Sequence, residues 1–209
     1  MPSDENPPPP GPIRILMLGA PGSGKGTQGA RLAERYDARH VSTGDLLRAA
    51  VAEGTELGGQ AQPYMDRGDL VPDELILGMV LEHVLGPGSS PSFVLDGFPR
   101  TVSQAKAAYE RASTTDRTLD AVVWLDLDQD LLLGRLEQRG LESGRADDAE
   151  ATILHRIHEY ERLTRPLLRY YDGRDLLVRV DAAGEIDDIF AAICEPLDAI
   201  LEQRQRRGQ

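Results

Sequence analysis

The chain has 209 residues, enough for one sizeable core with small inserts but not for a second full domain. Acidic residues outnumber basic ones 35 to 23, and the formal net charge of −12 repels a nucleic-acid backbone. One cysteine, Cys194, excludes internal disulfides and a multi-cysteine zinc site, and the lack of a long apolar run or leader pattern points to a soluble, cytoplasmic protein.

Met1–Pro12 (MPSDENPPPPGP) is polar and proline-rich and reads as a disordered or polyproline tail. The apolar run that follows, Ile13 and Ile15–Leu18, stops at a glycine, the pattern of a strand buried on both faces. The loop Gly19-Ala-Pro-Gly-Ser-Gly24 lacks bulky side chains. Its backbone N–H groups can therefore close around an anion at the start of the next helix, where the dipole also favours negative charge. Gly22, Ser23 and Gly24 form the heart of this loop, Lys25 adds a positive charge for phosphate oxygens, and a nearby hydroxyl, that of Thr27, can reach Mg²⁺. Gly19, Gly24 and Lys25 match G-x-x-x-x-G-K-[ST], whereas Gly26 stands where a hydroxyl residue belongs and Thr27 comes one position late. A literal G-x-G-x-x-G at Gly24, Gly26 and Gly29 lies inside the helix start rather than in the turn, which argues against a dinucleotide fold. The stretch is a nucleotide-phosphate loop.

The first helix should run over Lys25–Tyr36, followed by a short strand at Arg39–Val41 and a helix capped by Thr43 or Asp45. Glu53–Val71 holds four glycines and Pro63, so a loose helical insert is expected. A helix restarts at Pro72-Asp73 and reaches about Val84; a third strand, Ser92–Leu95, ends in Asp96. A helix from Ser103 to Arg111, a strand at Ala121–Leu127 and a helix at Gln129–Gln138 come next. Arg139–Asp148 is charged and punctuated by glycine. Ala149–Tyr171 is amphipathic but interrupted at Pro166, Leu176–Val180 makes a fifth strand, and a last helix runs from Ile186 to about Arg204, ending in a solvated Arg204–Arg207. Strands alternating with helices predict an α/β fold with a doubly wound, five-stranded parallel sheet and ligands at the strands' carboxyl ends.

Asp96 leaves an apolar strand beside the phosphate loop, where such proteins place a carboxylate that helps hold Mg²⁺, often through water. Arg48, Arg100, Arg139, Arg145 and Arg156 fall at element ends rather than on helix surfaces, and together they read as a clamp. Phosphoryl transfer needs cations that screen two phosphate chains and stabilise the moving group, and guanidinium groups bind phosphate bidentately without losing charge. Arg135, Arg162 and Arg169 read as surface residues.

GAPGSGKGTQ at Gly19–Gln28, STGDLLR at Ser42–Arg48, MDRGDLVPDE at Met65–Glu74, LDGFPRT at Leu95–Thr101 with Gln104, and RGLESGRADD at Arg139–Asp148 resemble, in order, the motifs of adenylate kinase. The resemblance covers nearly all of Ile13–Leu201. It implies a three-layer P-loop kinase core (13–41, 72–137, 149–209), a nucleoside-monophosphate-binding insert at 42–71 and a short lid at 138–148. It implies ATP + AMP = 2 ADP with Mg²⁺, by a monomer without structural zinc. Gly22–Thr27 would hold the ATP phosphates, with Arg139 over ATP and the Gly184 backbone at its adenine. Thr43, Arg48, Asp69, Leu70, Val71, Gly97, Phe98, Pro99, Arg100 and Gln104 would form the AMP pocket, with Gln104 reading the adenine edge. Arg145 and Arg156 would converge on the phosphates as the lid closes, while Asp147 and Asp148 pair with arginines. Gly59 and Pro63 stand where relatives usually continue a helix.

The nearest alternative is a UMP/CMP kinase on the same scaffold, a family that tends to place Ala at the position of Thr43 and Asn near Gln104. A guanine-reading switch is excluded, because its Asn-Lys-x-Asp pattern has no counterpart when Asn6 is the only asparagine.

Overall fold

The computed structural model describes residues 11–143 and 150–208; at 137, 139–143, 150, 151, 205, 207 and 208 it describes the backbone alone. In chain order the first half comprises β1 (Arg14–Gly19), α1 (Lys25–Arg35), β2 (Arg39–Ser42), α2 (Thr43–Ala52), α3 (Glu56–Arg67), α4 (Asp73–Leu85) and β3 (Phe93–Asp96). There follow α5 (Val102–Ser113), β4 (Ala121–Asp126), α6 (Gln129–Ser143), α7 (Glu150–Glu159), a π-helical turn (Tyr160–Thr164), α8 (Pro166–Asp172), β5 (Leu177–Asp181) and α9 (Ile186–Gly208).

The five strands form one sheet in the order β2-β3-β1-β4-β5, every pairing parallel. The phosphate-loop strand is therefore central, and Met17 lies in register with Asp96 on β3. Along β1, Leu16 and Leu18 join a core with Val80 and Val84 of α4 and Leu167 of α8, while Ile15 and Met17 join another with Leu32 of α1 and Ile193 and Leu197 of α9. Covered on both faces, β1 and β4 read as continuous apolar runs rather than as alternating ones. Burying each of the fully enclosed Ile15, Leu16 and Val123 contributes about 1.5–3 kcal/mol. Among the described residues no helix is long and apolar enough to cross a membrane.

Several local expectations are corrected. The cap of α2 is Ser42, whose Oγ accepts from the Asp45 N–H at 3.3 Å. Thr43 does not serve, because its buried hydroxyl donates instead to the Asp96 carbonyl at 3.1 Å. The insert is not loose: α3 is a regular 12-residue helix, capped by Thr55 at its start and by Gly68 at its end. Gly59 and Pro63 both lie on its exposed face, where water can take the carbonyl that Pro63 leaves without an amide partner. Gly58 faces the other way, and a Cβ there would stand 2.1 Å from the Ala50 carbonyl oxygen, so glycine lets α3 lie directly on α2.

The helix expected over Gln129–Gln138 continues as α6 to Ser143. The break expected at Pro166 begins earlier, in the π-helical turn, where the Arg165 N–H donates to the Tyr160 carbonyl at 2.9 Å. Widening the helix by one residue lets the chain meet a proline that has no N–H to donate. Finally, Arg204 is not simply solvated. It pairs at 2.7 Å with Asp120, a mostly buried carboxylate that also accepts from the Arg14 N–H.

Candidate active site

The carboxyl ends of β1 and β3 open into a cavity of about 940 Å³. Its walls bring together the phosphate loop (Gly22, Ser23, Gly24, Lys25, Gly26, Thr27), Arg48 of α2, Asp96, Gly97, Pro99 and Arg100 after β3, Arg156 of α7 and Gly184 before α9. A side pocket of about 70 Å³ shares Arg48, Arg100 and Arg156 and adds Thr43, Asp69, Leu70, Val71 and Gln104. Residues scattered over more than 150 positions of sequence thus line two neighbouring spaces, with the three arginines on the walls of both.

The loop is shaped by backbone conformation. Gly24 caps α1 in the left-handed region (φ 92°) and offers no side-chain acceptor, so the first N–H groups of α1 are left for a ligand. The Lys25 ammonium donates to the Ala20 carbonyl at 2.9 Å, which holds it against the loop. Ser23 is buried, and its Oγ has no hydrogen-bond partner among the described residues.

Asp96 ends β3 next to this loop. Its Oδ1 is buried without a hydrogen-bond partner among the described residues, and its Oδ2 would lie 3.9 Å from a Cβ at Gly26. A buried carboxylate oxygen without a donor among the described residues, on the wall that also carries Thr27, is a donor set of the hard-oxygen kind that suits Mg²⁺.

Arg100 is held from three directions. Its Nε donates to the Gly97 carbonyl at 2.9 Å, its N–H to Gln104 Oε1 at 2.6 Å, and its carbonyl accepts from Thr164 Oγ1 at 3.0 Å. The last bond is a product of the π-helical turn and was not legible in sequence. Arg48 pairs with Asp45 one helical turn away, at 2.5 Å. At the insert's end, Asp69 accepts from Arg67 Nε at 2.8 Å and meets His155 Nε2 of α7 at 2.7 Å. Arg67 first, then His155, hold the Asp69 carboxyl below the usual carboxylate range.

Not every expected residue reaches the cavities. Phe98 is 1% exposed and packs in the core, where it lines neither space; the Phe98–Pro99 peptide is cis. The Arg139 side chain, Arg145, Asp147 and Asp148 lie outside the described residues. Arg135, read as a surface residue, instead stands on the wall of the large cavity. One turn of α6 before Arg139, it was hidden because a cation on a helix looks the same in sequence whether it faces water or a cleft.

The family model described as Adenylate kinase matches residues 17–176. An adenylate kinase of Stenotrophomonas maltophilia (strain K279a) is 46% identical over 187 residues, covering 90% of this chain and 100% of that protein. One from Nocardioides sp. is 45% identical over 190 residues (91% and 100% covered), and one from Bacteroides thetaiotaomicron is 42% identical over 188 residues (90% and 100% covered).

Proposed function

This chain belongs to the adenylate kinase family, and we propose that its two neighbouring cavities hold the two nucleotides of that family's reaction. The enzyme is a nucleoside monophosphate kinase, and the reaction is the reversible transfer ATP + AMP = 2 ADP. The observation that carries the assignment is the meeting of Lys25, Arg48, Arg100, Arg156 and Asp96 around one space at the mouth of the phosphate loop.

In this reading ATP lies along Gly22–Thr27 and toward Gly184, its phosphates received by the loop N–H groups and Lys25. AMP enters the side pocket between Thr43, Val71 and Gln104, beside the backbone of Asp69–Leu70 and Gly97. Arg48, Arg100 and Arg156 stand between the two nucleotides. Their fixed charges relieve the repulsion of facing phosphates and stabilise the charge spread over the transferred group. The acceptor is already an ionised phosphate, so no side chain has to remove a proton, and positioning with charge suffices. Residues 42–71 act as the AMP-binding insert, and 138–148 as a short lid that brings Arg139 and Arg145 over the phosphates and excludes water. Exclusion matters because water in the same place would accept the phosphoryl group.

Mg²⁺ would be held by Asp96 and Thr27, at least partly through water, and would there neutralise phosphate charge. The buried oxygen of Asp96, without a hydrogen-bond partner among the described residues, supports this placement. The protein acts as a cytoplasmic monomer, a setting consistent with its single buried cysteine. The test is a coupled assay across nucleoside monophosphates with ATP. AMP should be the best acceptor, UMP poor, and chelation of Mg²⁺ should abolish turnover; equal rates with AMP and UMP would defeat the base assignment. The UMP/CMP reading is not favoured, since the relatives at 41–46% identity are adenylate kinases.

A further inference from the structure

We propose that Asp73, at the start of α4, is a specificity-determining positioning residue that makes the side pocket select a 6-amino over a 6-oxo purine. The inference rests on the reading above, in which that pocket takes the base of the monophosphate and Gln104 faces it. A glutamine amide is ambiguous as a reader, because turning it over exchanges donor and acceptor. Here it is held at both ends by groups that work in one direction only. The Arg100 N–H can only donate, and at 2.6 Å it claims the amide oxygen of Gln104. The Asp73 carboxylate accepts, and its Oδ1 at 2.5 Å claims the amide nitrogen. The Gln104 main chain is fixed as well, its N–H donating to the Thr101 cap at 3.1 Å.

Turning the amide over would set an oxygen against the Asp73 carboxylate and an NH₂ against the Arg100 N–H. Both contacts would be lost, and in a pocket where Gln104 is 3% exposed no water replaces them readily. The unspent N–H and the unspent lone pair of Gln104 therefore reach a base in one order. An adenine offers its 6-amino group as donor and N1 as acceptor, which matches that order. Hypoxanthine and guanine offer O6 as acceptor and N1–H as donor, which reverses it. Arg100 supplies one half of the lock through its main-chain N–H, which only proline would remove, and at the cost of the guanidinium. Asp73 supplies the other through a side chain at the exposed start of a helix, on the wall of neither cavity.

The experiment compares kcat/KM for AMP and IMP in the wild type, Asp73→Asn and Asp73→Ala, with ATP as donor and thermal midpoints recorded. IMP differs from AMP in the 6-position and N1 proton alone. The wild type should favour AMP by about 10³-fold or more. Each variant should cut the AMP-to-IMP ratio by about tenfold or more, with the KM for ATP unmoved, because asparagine can pair with the Gln104 amide in either orientation and alanine in neither, so that end no longer fixes its direction. An unchanged ratio in both variants would overturn the inference, and so would a parallel fall with AMP and IMP, which a merely structural residue would give. Lack of AMP turnover by the wild type would be a different result, overturning the underlying reading of the pocket itself.

Discussion

Lys25 lies on the cavity wall with its ammonium donating to the Ala20 carbonyl. That bond costs little to exchange, so the charge is pre-positioned at the loop and available to a phosphate oxygen. Lys25→Met keeps the aliphatic stem and removes the charge. It should lower kcat by about 10²-fold or more while leaving the fold intact, as one lost electrostatic contact in a closed site does. Single-turnover kinetics with a far-ultraviolet circular dichroism spectrum would check it, and a kcat within a few-fold of wild type would remove Lys25 from the chemistry. Arg100 differs in kind from Arg48. Its three hydrogen bonds to Gly97, Gln104 and Thr164 fix it to the core, whereas Arg48 answers to a partner on its own helix.

The insert shows how helices override local propensity. Glycines and an internal proline argue against α3, yet it forms because Ala61 is fully buried and Gly58 lets it rest on the Ala50 backbone of α2. Gly58→Ala should therefore be more damaging than its chemistry implies. The added methyl must push backbone aside rather than a flexible side chain, at about 2–3 kcal/mol, or a drop in Tm of ~4–12 °C for a chain of this size. Gly59→Ala, with open space around its Cβ, should leave Tm unchanged or raise it. Calorimetry on the two variants decides the matter, and equal Tm values would contradict the close approach. The π-helical turn is the other element with a function of its own, since it delivers Thr164 to the Arg100 carbonyl.

Taken whole, the molecule is an acidic body with a net charge of −12 around a cleft where Lys25, Arg48, Arg100, Arg135 and Arg156 gather, a distribution that concentrates attraction for nucleotides at the cleft. The insert is tied to α7 by Asp69 and His155, 86 residues apart. Because Arg67 and then His155 lower the Asp69 pKa, the folded state favours the carboxylate. The stabilisation is thus complete above the ordinary Asp value of about 3.9 and is lost as pH falls through the lowered folded value. Asp69→Asn should cost no more than about 1 kcal/mol at pH 7, since the pair is partly exposed. The gap between wild type and variant should close below pH ~4. Denaturant titrations from pH 3 to pH 7 would show it, and a gap independent of pH would mean that Asp69 is not held as its geometry implies.

The alternation of strands and helices, the phosphate loop and the acid at the end of β3 were all written in short stretches of chain. Each depends on neighbours within a few residues: a glycine where the backbone must turn, a run of apolar side chains, a lysine at a helix start. Other features needed partners brought from afar. Ser42 caps α2 because the hydroxyl of Thr43 goes to a carbonyl 53 residues away. Arg204 is held by Asp120, Arg135 turns inward onto the cavity, and Gln104 is locked between Arg100 and Asp73. Hydrogen bonds and ion pairs are short-ranged, so which of several equivalent polar side chains finds a partner is settled only when the sheet has placed the helices.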